Sequence, residues 1–340
     1  MKKSLLALAV LGAFAGAASA QTNVTIYGVA DVGIQRIDTD TTSARWGLDS
    51  GIQSGSRLGF KGSEDLGGGL SAIFTLESGY NIDTGTSAQG GRLFGRQAFV
   101  GLSGGFGAVK FGRQYTPIFI AHDTIDPFGT GIVGDASGIS ATFNPYGVRM
   151  DNTVNYSLTA GPISGQVAYG FGEVAGSTSA NRQIGASLGY ANGPLTVVGA
   201  YHDQNGAGTT AASVDARTAF IGGVFDLRAV KLHAAFADNR AETTTGGATT
   251  LRNRDYMLGV SAPIGAGNVM ASYARKDDRR AGIANADADF WAVGYTHNVS
   301  KRTNLYTSYS IIKNDPASTL GSGVAGSDIS WFNVGVRHKF

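Results

Sequence analysis

The chain has 340 residues, 42% of them apolar, with 27 Lys and Arg against 25 Asp and Glu for a formal charge of +2. That balance excludes the basic excess of a nucleic-acid binder, and the absence of cysteine excludes disulfide scaffolds, thiolate metal sites and cysteine nucleophiles. With 51 glycines and only 7 prolines, the chain is neither collagen-like nor proline-rich.

At the start, Lys2 and Lys3 precede the apolar run SLLALAVLGAFAGA, and Ala18-Ser19-Ala20 stands before Gln21. A charged start, a short apolar stretch and a small-residue cleavage site describe a secretory signal peptide over residues 1–20. The run is short for a bilayer span, and its second half is made of small residues, which argues against an anchor. Residues 21–340 then form one exported unit. Taking Lys2 and Lys3 from the 27 basic residues leaves 25 against 25 acidic ones, a charge of zero. After Ala20 no apolar run approaches the ~20 residues of a helical span. Burial must therefore be built from alternation.

Alternation runs through the rest of the chain. Val24, Ile26, Ala30, Val32 and Ile34 alternate with Thr25, Tyr27, Asp31 and Gln35. Leu70, Ala72, Phe74 and Leu76 alternate with Ser71, Thr75 and Glu77, and Val154, Tyr156 and Leu158 with Thr153, Asn155 and Ser157. Further on, Val230, Leu232, Ala234 and Phe236 alternate with Lys231 and His233, and Trp291, Val293 and Tyr295 with Ala292, Gly294 and Thr296. Each stretch reads as a strand with one apolar and one polar face. Tight Gly, Pro or Ser turns (64–69, 103–105, 160–162, 191–194, 263–267, 300–302) separate strands on one side. Longer polar stretches near 39–53, 84–92, 114–149, 175–181, 205–214, 241–251, 278–287 and 315–327 separate them on the other.

The segments number about sixteen, an even count suited to a closed antiparallel barrel. A soluble sandwich of this size would show continuous apolar core strands and would limit its edges. A transmembrane β-barrel instead needs an apolar face toward lipid and a polar face toward a wet lumen on every strand. The last strand, ISWFNVGVRHKF, supports closure: Phe332, Val334, Val336 and Phe340 face lipid, Asn333, Arg337 and Lys339 face the lumen, and the strand seals against the first.

One connection differs. Residues 115–148 form the longest insert, and Ile118, Phe119, Ile120, Phe128 and Phe143 make it more apolar than the other loops. Such a segment packs on an inner wall, so it is expected to fold into the lumen and narrow it, carrying Asp123, Asp126 and Asp135 inside. Strand parity points Arg57, Lys61, Lys110 and Arg149 inward, with Glu77 a lumen acid; the faces around Arg96 are not declared. A Lys or Arg on the lipid face would cost ~2–4 kcal/mol at mid-membrane. Cations outnumber acids in this inward set, so an anion-selective constriction is expected, weak to moderate in strength.

Catalytic patterns fall away. Gly101-Leu102-Ser103-Gly104-Gly105 matches the nucleophile elbow, but a further strand follows it where the motif needs a helix. The five histidines, 122, 202, 233, 297 and 338, sit singly, so neither a metal nor another cofactor is expected.

Together, VTIYGVADVGI, SRLGFKGSEDLGGGLSAIFTLESGY, GRQAFVGLSGGFGAVKFGRQYTP, VRMDNTVNYSL, SKRTNLYTSYS and the terminal VGVRHKF resemble the general-diffusion porins of Gram-negative bacteria, in their neisserial and betaproteobacterial branch. The resemblance implies a sixteen-stranded outer-membrane barrel, a homotrimer, a third loop folded into each pore, and passive diffusion of ions and small hydrophilic solutes. By position, Arg57, Arg96 and Arg149 are similar to the family's basic wall cluster, Arg113 to the start of its loop, and Asp123 and Asp126 to the loop acids. The family's Glu-rich loop tip, found in enterobacterial members, is missing here. Phe340 resembles the signal read by the barrel assembly machinery, and outer-membrane lipid with lipopolysaccharide would surround the wall. The alternatives are a solute-specific channel, which needs aromatic rungs along the pore, and an outer-membrane hydrolase, which needs a Ser or Asp supported by a His at the rim.

Overall fold

A computed structural model describes residues 23–135, 147–207 and 213–340; the signal-peptide reading of residues 1–20 lies outside them, as do residues 136–146 of the long insert. In chain order the strands are β1 (Asn23–Thr39), β2 (Thr42–Ser50), β3 (Arg57–Gly67), β4 (Leu70–Gly79), β5 (Gln97–Gly104) and β6 (Gly107–Tyr115). A helix, α1 (Pro117–Ile125), precedes β7 (Arg149–Ala160), β8 (Ile163–Gly170), β9 (Gln183–Asn192), β10 (Leu195–Gln204) and β11 (Val214–Asp226). Then come β12 (Lys231–Thr243), β13 (Thr249–Ile264), β14 (Gly267–Asp278), β15 (Ala288–Asn298), β16 (Thr303–Asn314) and β17 (Ile329–Lys339).

Neighbours in sequence pair antiparallel all the way round, and β17 closes on β1 from Val29↔Lys339 to Thr39↔Ile329. β2 pairs with the second half of β1 and β3 with the first half, so these two strands share one position and the barrel has sixteen staves. Closure leaves no open sheet edge at the seam, the condition a membrane barrel must meet. At the seam Gly28 N donates to Phe340 O (3.0 Å) and Phe340 N to Gly28 O (3.1 Å). The Phe340 ring occupies the space a Cβ on Gly28 would need.

Period-2 alternation decides the two faces. Ile26, Trp46, Val100, Leu188, Ile221, Leu258, Trp291 and Val334 are exposed on the outside, while Val198, Phe220, Met257, Phe290 and Ala292, of opposite parity, are buried inside. Outward rings pair across strands, Phe236 with Tyr256 at 5.3 Å and Tyr273 with Trp291 at 4.4 Å. Toward the long-loop end the same outward rows turn charged, with Arg254 on Asp238 and Arg275 on Asp289. That change from rings to charges marks where an apolar face stops being needed.

The same change accounts for two differences from the sequence reading. Residues 39–53 are mostly strand, with β1 and β2 joined across Thr39↔Thr42, and 241–251 is likewise a hairpin turning between Thr243 and Thr249. Beyond the lipid both faces are wet, so these strand ends carry Thr, Asp and Arg on each side and read as loop.

Candidate functional site at the barrel constriction

Within the barrel, Thr116 starts α1 by accepting Phe119 N on its hydroxyl (3.2 Å), Pro117 occupies the first helical position, and Tyr115 stacks on Phe119 at 4.9 Å. Proline there costs nothing because that N–H has no intrahelical partner. Ile118, Ala121, Ile125, Phe128 and Ile132 then pack in one cluster with inward wall residues Val198, Phe220, Met257, Met270 and Phe290. Four wall glycines make room. An ideal Cβ on Gly185, Gly222, Gly259 or Gly294 would meet Pro117, Ile125, Pro127 or Phe128 at 2.8, 2.9, 2.6 and 2.8 Å respectively. The His233 imidazole lies between Ile125 O (2.7 Å) and the Ser261 hydroxyl (3.0 Å), so a polar contact from the wall also reaches the helix end.

The acids of the insert are not equivalent. Asp123 is exposed and accepts the Thr130 hydroxyl at 2.6 Å. Asp126 is only 5% exposed, and its two oxygens accept Phe128 N (3.2 Å) and Thr130 N (2.8 Å). Burial, then the carboxylate of Asp135, holds Asp126 well above the usual carboxylate range. Asp126 therefore shapes the turn after α1 and is buried there, unlike the exposed Asp123. His122, fully inside the helix–wall interface and edge-on to Phe220, is pushed down to about 4 by burial against an opposing pull from Asp123.

On the facing wall the cations divide into two groups. Arg96 is spent: Nε donates to Glu77 Oε1 (2.8 Å) and Nη2 to the Tyr115 hydroxyl (2.7 Å), while Tyr27 donates to the other oxygen of Glu77 (2.9 Å). Glu77 is 3% exposed, so it acts as the partner of Arg96 more than as a lumen acid. Arg113 and Arg92 share Asp151 at 2.5 and 2.8 Å, and Arg113 Nε also donates to Gly95 O. Arg113 is thereby held at the end of β6, compensated.

Arg57, Lys61, Lys110 and Arg149 form no ion pair among the described residues. Three of them lie over rings: Lys61 over Tyr27 at 5.3 Å, Lys110 over Phe99 at 5.5 Å and Arg149 over Tyr115 at 4.8 Å. Arg57 Nε donates to Gly55 O at 2.9 Å. A ring under a cation fixes its position without cancelling its charge.

The sequence alone does not single out Tyr27 or Tyr115 as partners of these charges, nor Asp31, whose carboxylate accepts Ser54 N and the Tyr306 hydroxyl. The parity of Tyr27 and Asp31 with Thr25 was a usable signal; Tyr115 gave none, since it stands where the strand gives way to the insert. Among the described residues no His, Cys, Asp or Glu cluster could hold a metal ion.

A model of the Gram-negative porin family matches residues 7–317. The chain is 38% identical to an outer membrane porin protein of Bordetella pertussis and 36% identical to outer membrane porin protein 32 of Delftia acidovorans, over the whole length of each pair. Among solved structures it is similar to an anion-selective porin from Comamonas acidovorans, with TM-score 0.83 and 31% identity, covering 94% of this chain and 100% of that one.

Proposed function

The chain belongs to the Gram-negative porin family, a passive diffusion channel of the outer membrane and not an enzyme, and from that premise we propose that its pore favours anions. The observation that carries this reading is the unequal spending of charge. Arg57, Lys61, Lys110 and Arg149 stand on the wall with no ion pair among the described residues, whereas Glu77 and Asp151 are engaged by arginines and Asp126 by backbone N–H groups. In a wetted constriction the local field, not the net charge of the chain, decides which ion enters.

The insert narrows the lumen in this reading, because α1 and residues 127–133 occupy space that an empty barrel would leave to water. Assembly as a homotrimer within lipid and lipopolysaccharide, after delivery by the barrel assembly machinery reading Phe340, completes the proposal; a Vibrio cholerae outer membrane protein of the same fold was solved in a trimer form. Planar-bilayer measurement across a salt gradient tests the selectivity. A reversal potential of anion sign is expected, and one of cation sign overturns the reading.

A further inference from the structure

Residues 51–56, between β2 and β3, are not part of the wall. On β1 the pairing passes from Val32↔Ser50 to Val29↔Arg57, so six residues stand opposite only Ala30 and Asp31. The excess folds inward and touches the insert, β16 and the cationic wall. Ile52 O accepts Ile132 N from the insert at 2.8 Å, and Gly131 packs so close to the Gln53 carbonyl that a Cβ there would collide with it. Gln53 Oε1 accepts Asn304 Nδ2 (2.7 Å), whose own oxygen accepts Arg337 Nε (3.0 Å). Gly55 O accepts Arg57 Nε, and a Cβ on Gly55 would meet Arg96 Nη1 at 2.8 Å.

Asp31 grips this segment at both ends and in the middle. Its carboxylate accepts Ser54 N (2.6 Å) and the Tyr306 hydroxyl (2.6 Å). Its carbonyl accepts Gly51 N (2.8 Å) and the Ser56 hydroxyl (3.1 Å), and its N donates to Ser56 Oγ (3.1 Å). The residue is 0% exposed. A buried carboxylate is costly unless it is fully hydrogen-bonded. A wall of alternating strands would close without it and without the six-residue excess.

We propose that residues 51–56 are a strut between the insert and the cationic wall, and that Asp31 is the positioning residue that sets it. The strut fixes how far Ile132 stands from Arg57 and Arg96, and so sets both the width and the charge geometry of the pore. This inference rests on the reading that the insert narrows the lumen.

The test is single-channel recording of Asp31→Ala, Asp31→Asn, Tyr306→Phe and Ser56→Ala, each first shown to be folded by heat-modifiable mobility. Asp31→Ala should raise open-channel noise, lower the voltage at which the pore closes and shift the reversal potential. Asp31→Asn, which keeps an acceptor, should fall between Asp31→Ala and the parent. Tyr306→Phe removes one hydrogen bond to the Asp31 carboxylate, and Ser56→Ala removes the two that its hydroxyl makes with the Asp31 backbone; both retain the charge and should raise noise alone, and they carry the test should Asp31→Ala fail to fold. Noise and reversal potential like the parent in all four overturn the proposal. A shift in Asp31→Asn equal to that in Asp31→Ala, without noise, overturns it too, since charge alone would then explain it. Excising about ten insert residues around Asp126, in protein shown to be folded by heat-modifiable mobility, tests the premise separately. Conductance unchanged there removes the premise and the strut together; conductance raised there beside parent-like Asp31 variants removes only the strut.

Discussion

Arg57 and Arg96 are a contrast in what one side chain contributes. Arg57→Glu places an acid where an uncompensated cation stands, so the reversal potential should move toward cation preference. The shift should be largest in dilute salt, because the Debye length falls from ~10 Å at 0.1 M to ~3 Å at 1 M. No shift in dilute salt would remove Arg57 from the constriction. Glu77→Gln should act in the opposite sense, releasing the charge of Arg96 and increasing anion preference; a move toward cations would show that Glu77 does not hold that charge in check. His122 supplies a pH dependence. Its docked form is pushed down to about 4 by burial, whereas an undocked imidazole titrates near its ordinary value. Docking is unpenalised above about pH 6.5 and weakens as pH falls toward 4, where the penalty reaches about 3 kcal/mol. Asp126, held above its ordinary value, works the other way, since its docked form takes up a proton more readily. His122→Gln should therefore remove an acid-induced rise in channel noise between those pH values, and identical noise in both proteins would overturn the argument. Alternation made the side of the wall legible for Arg57, Lys61, Lys110 and Arg149. The partners were not legible, because Glu77 of β4 meets Arg96 just ahead of β5, and Asp126 turns back on its own backbone.

At the scale of elements, strand number and pairing could be read from the sequence because each strand repeats a two-residue rule that no other part of the chain has to confirm. The insert could not be read so far. Its apolar residues announced a packing surface, but nine residues of helix starting at a proline carry too little period to be distinguished from irregular chain. Nor did the four wall glycines announce themselves, since glycine on a strand face reads as a gap until something is known to fill it. They give a direct test. Gly222→Val places branched carbons against Ile125 and should lift α1 from the wall, raising open-channel noise and altering conductance. Gly165→Val, at an outward position where a Cβ meets nothing closer than 3.8 Å, should leave both unchanged. Equal behaviour of the two variants would mean that the helix does not rely on that fit.

For the whole molecule, the seam matters most. Deleting Phe340 takes a ring from Gly28 and two backbone hydrogen bonds from the first strand, so the yield of folded, heat-modifiable protein in the outer membrane should fall. Normal yield after the deletion would show that closure does not depend on that residue. The pairing of β1 with β17 also has a meaning in time. Every other stave meets a neighbour made just before it, at short contour distance, while this contact joins the two most distant strands of the chain. The entropy of closing so long a loop grows only slowly with length, but contacts of high sequence separation form late. The first strand must therefore wait, half-paired, for the last to arrive. An interrupted translation product lacking β17 would not make a slightly narrower channel; it would present two unsatisfied strands to its surroundings, a state that chaperones and proteases can recognise before it reaches a membrane.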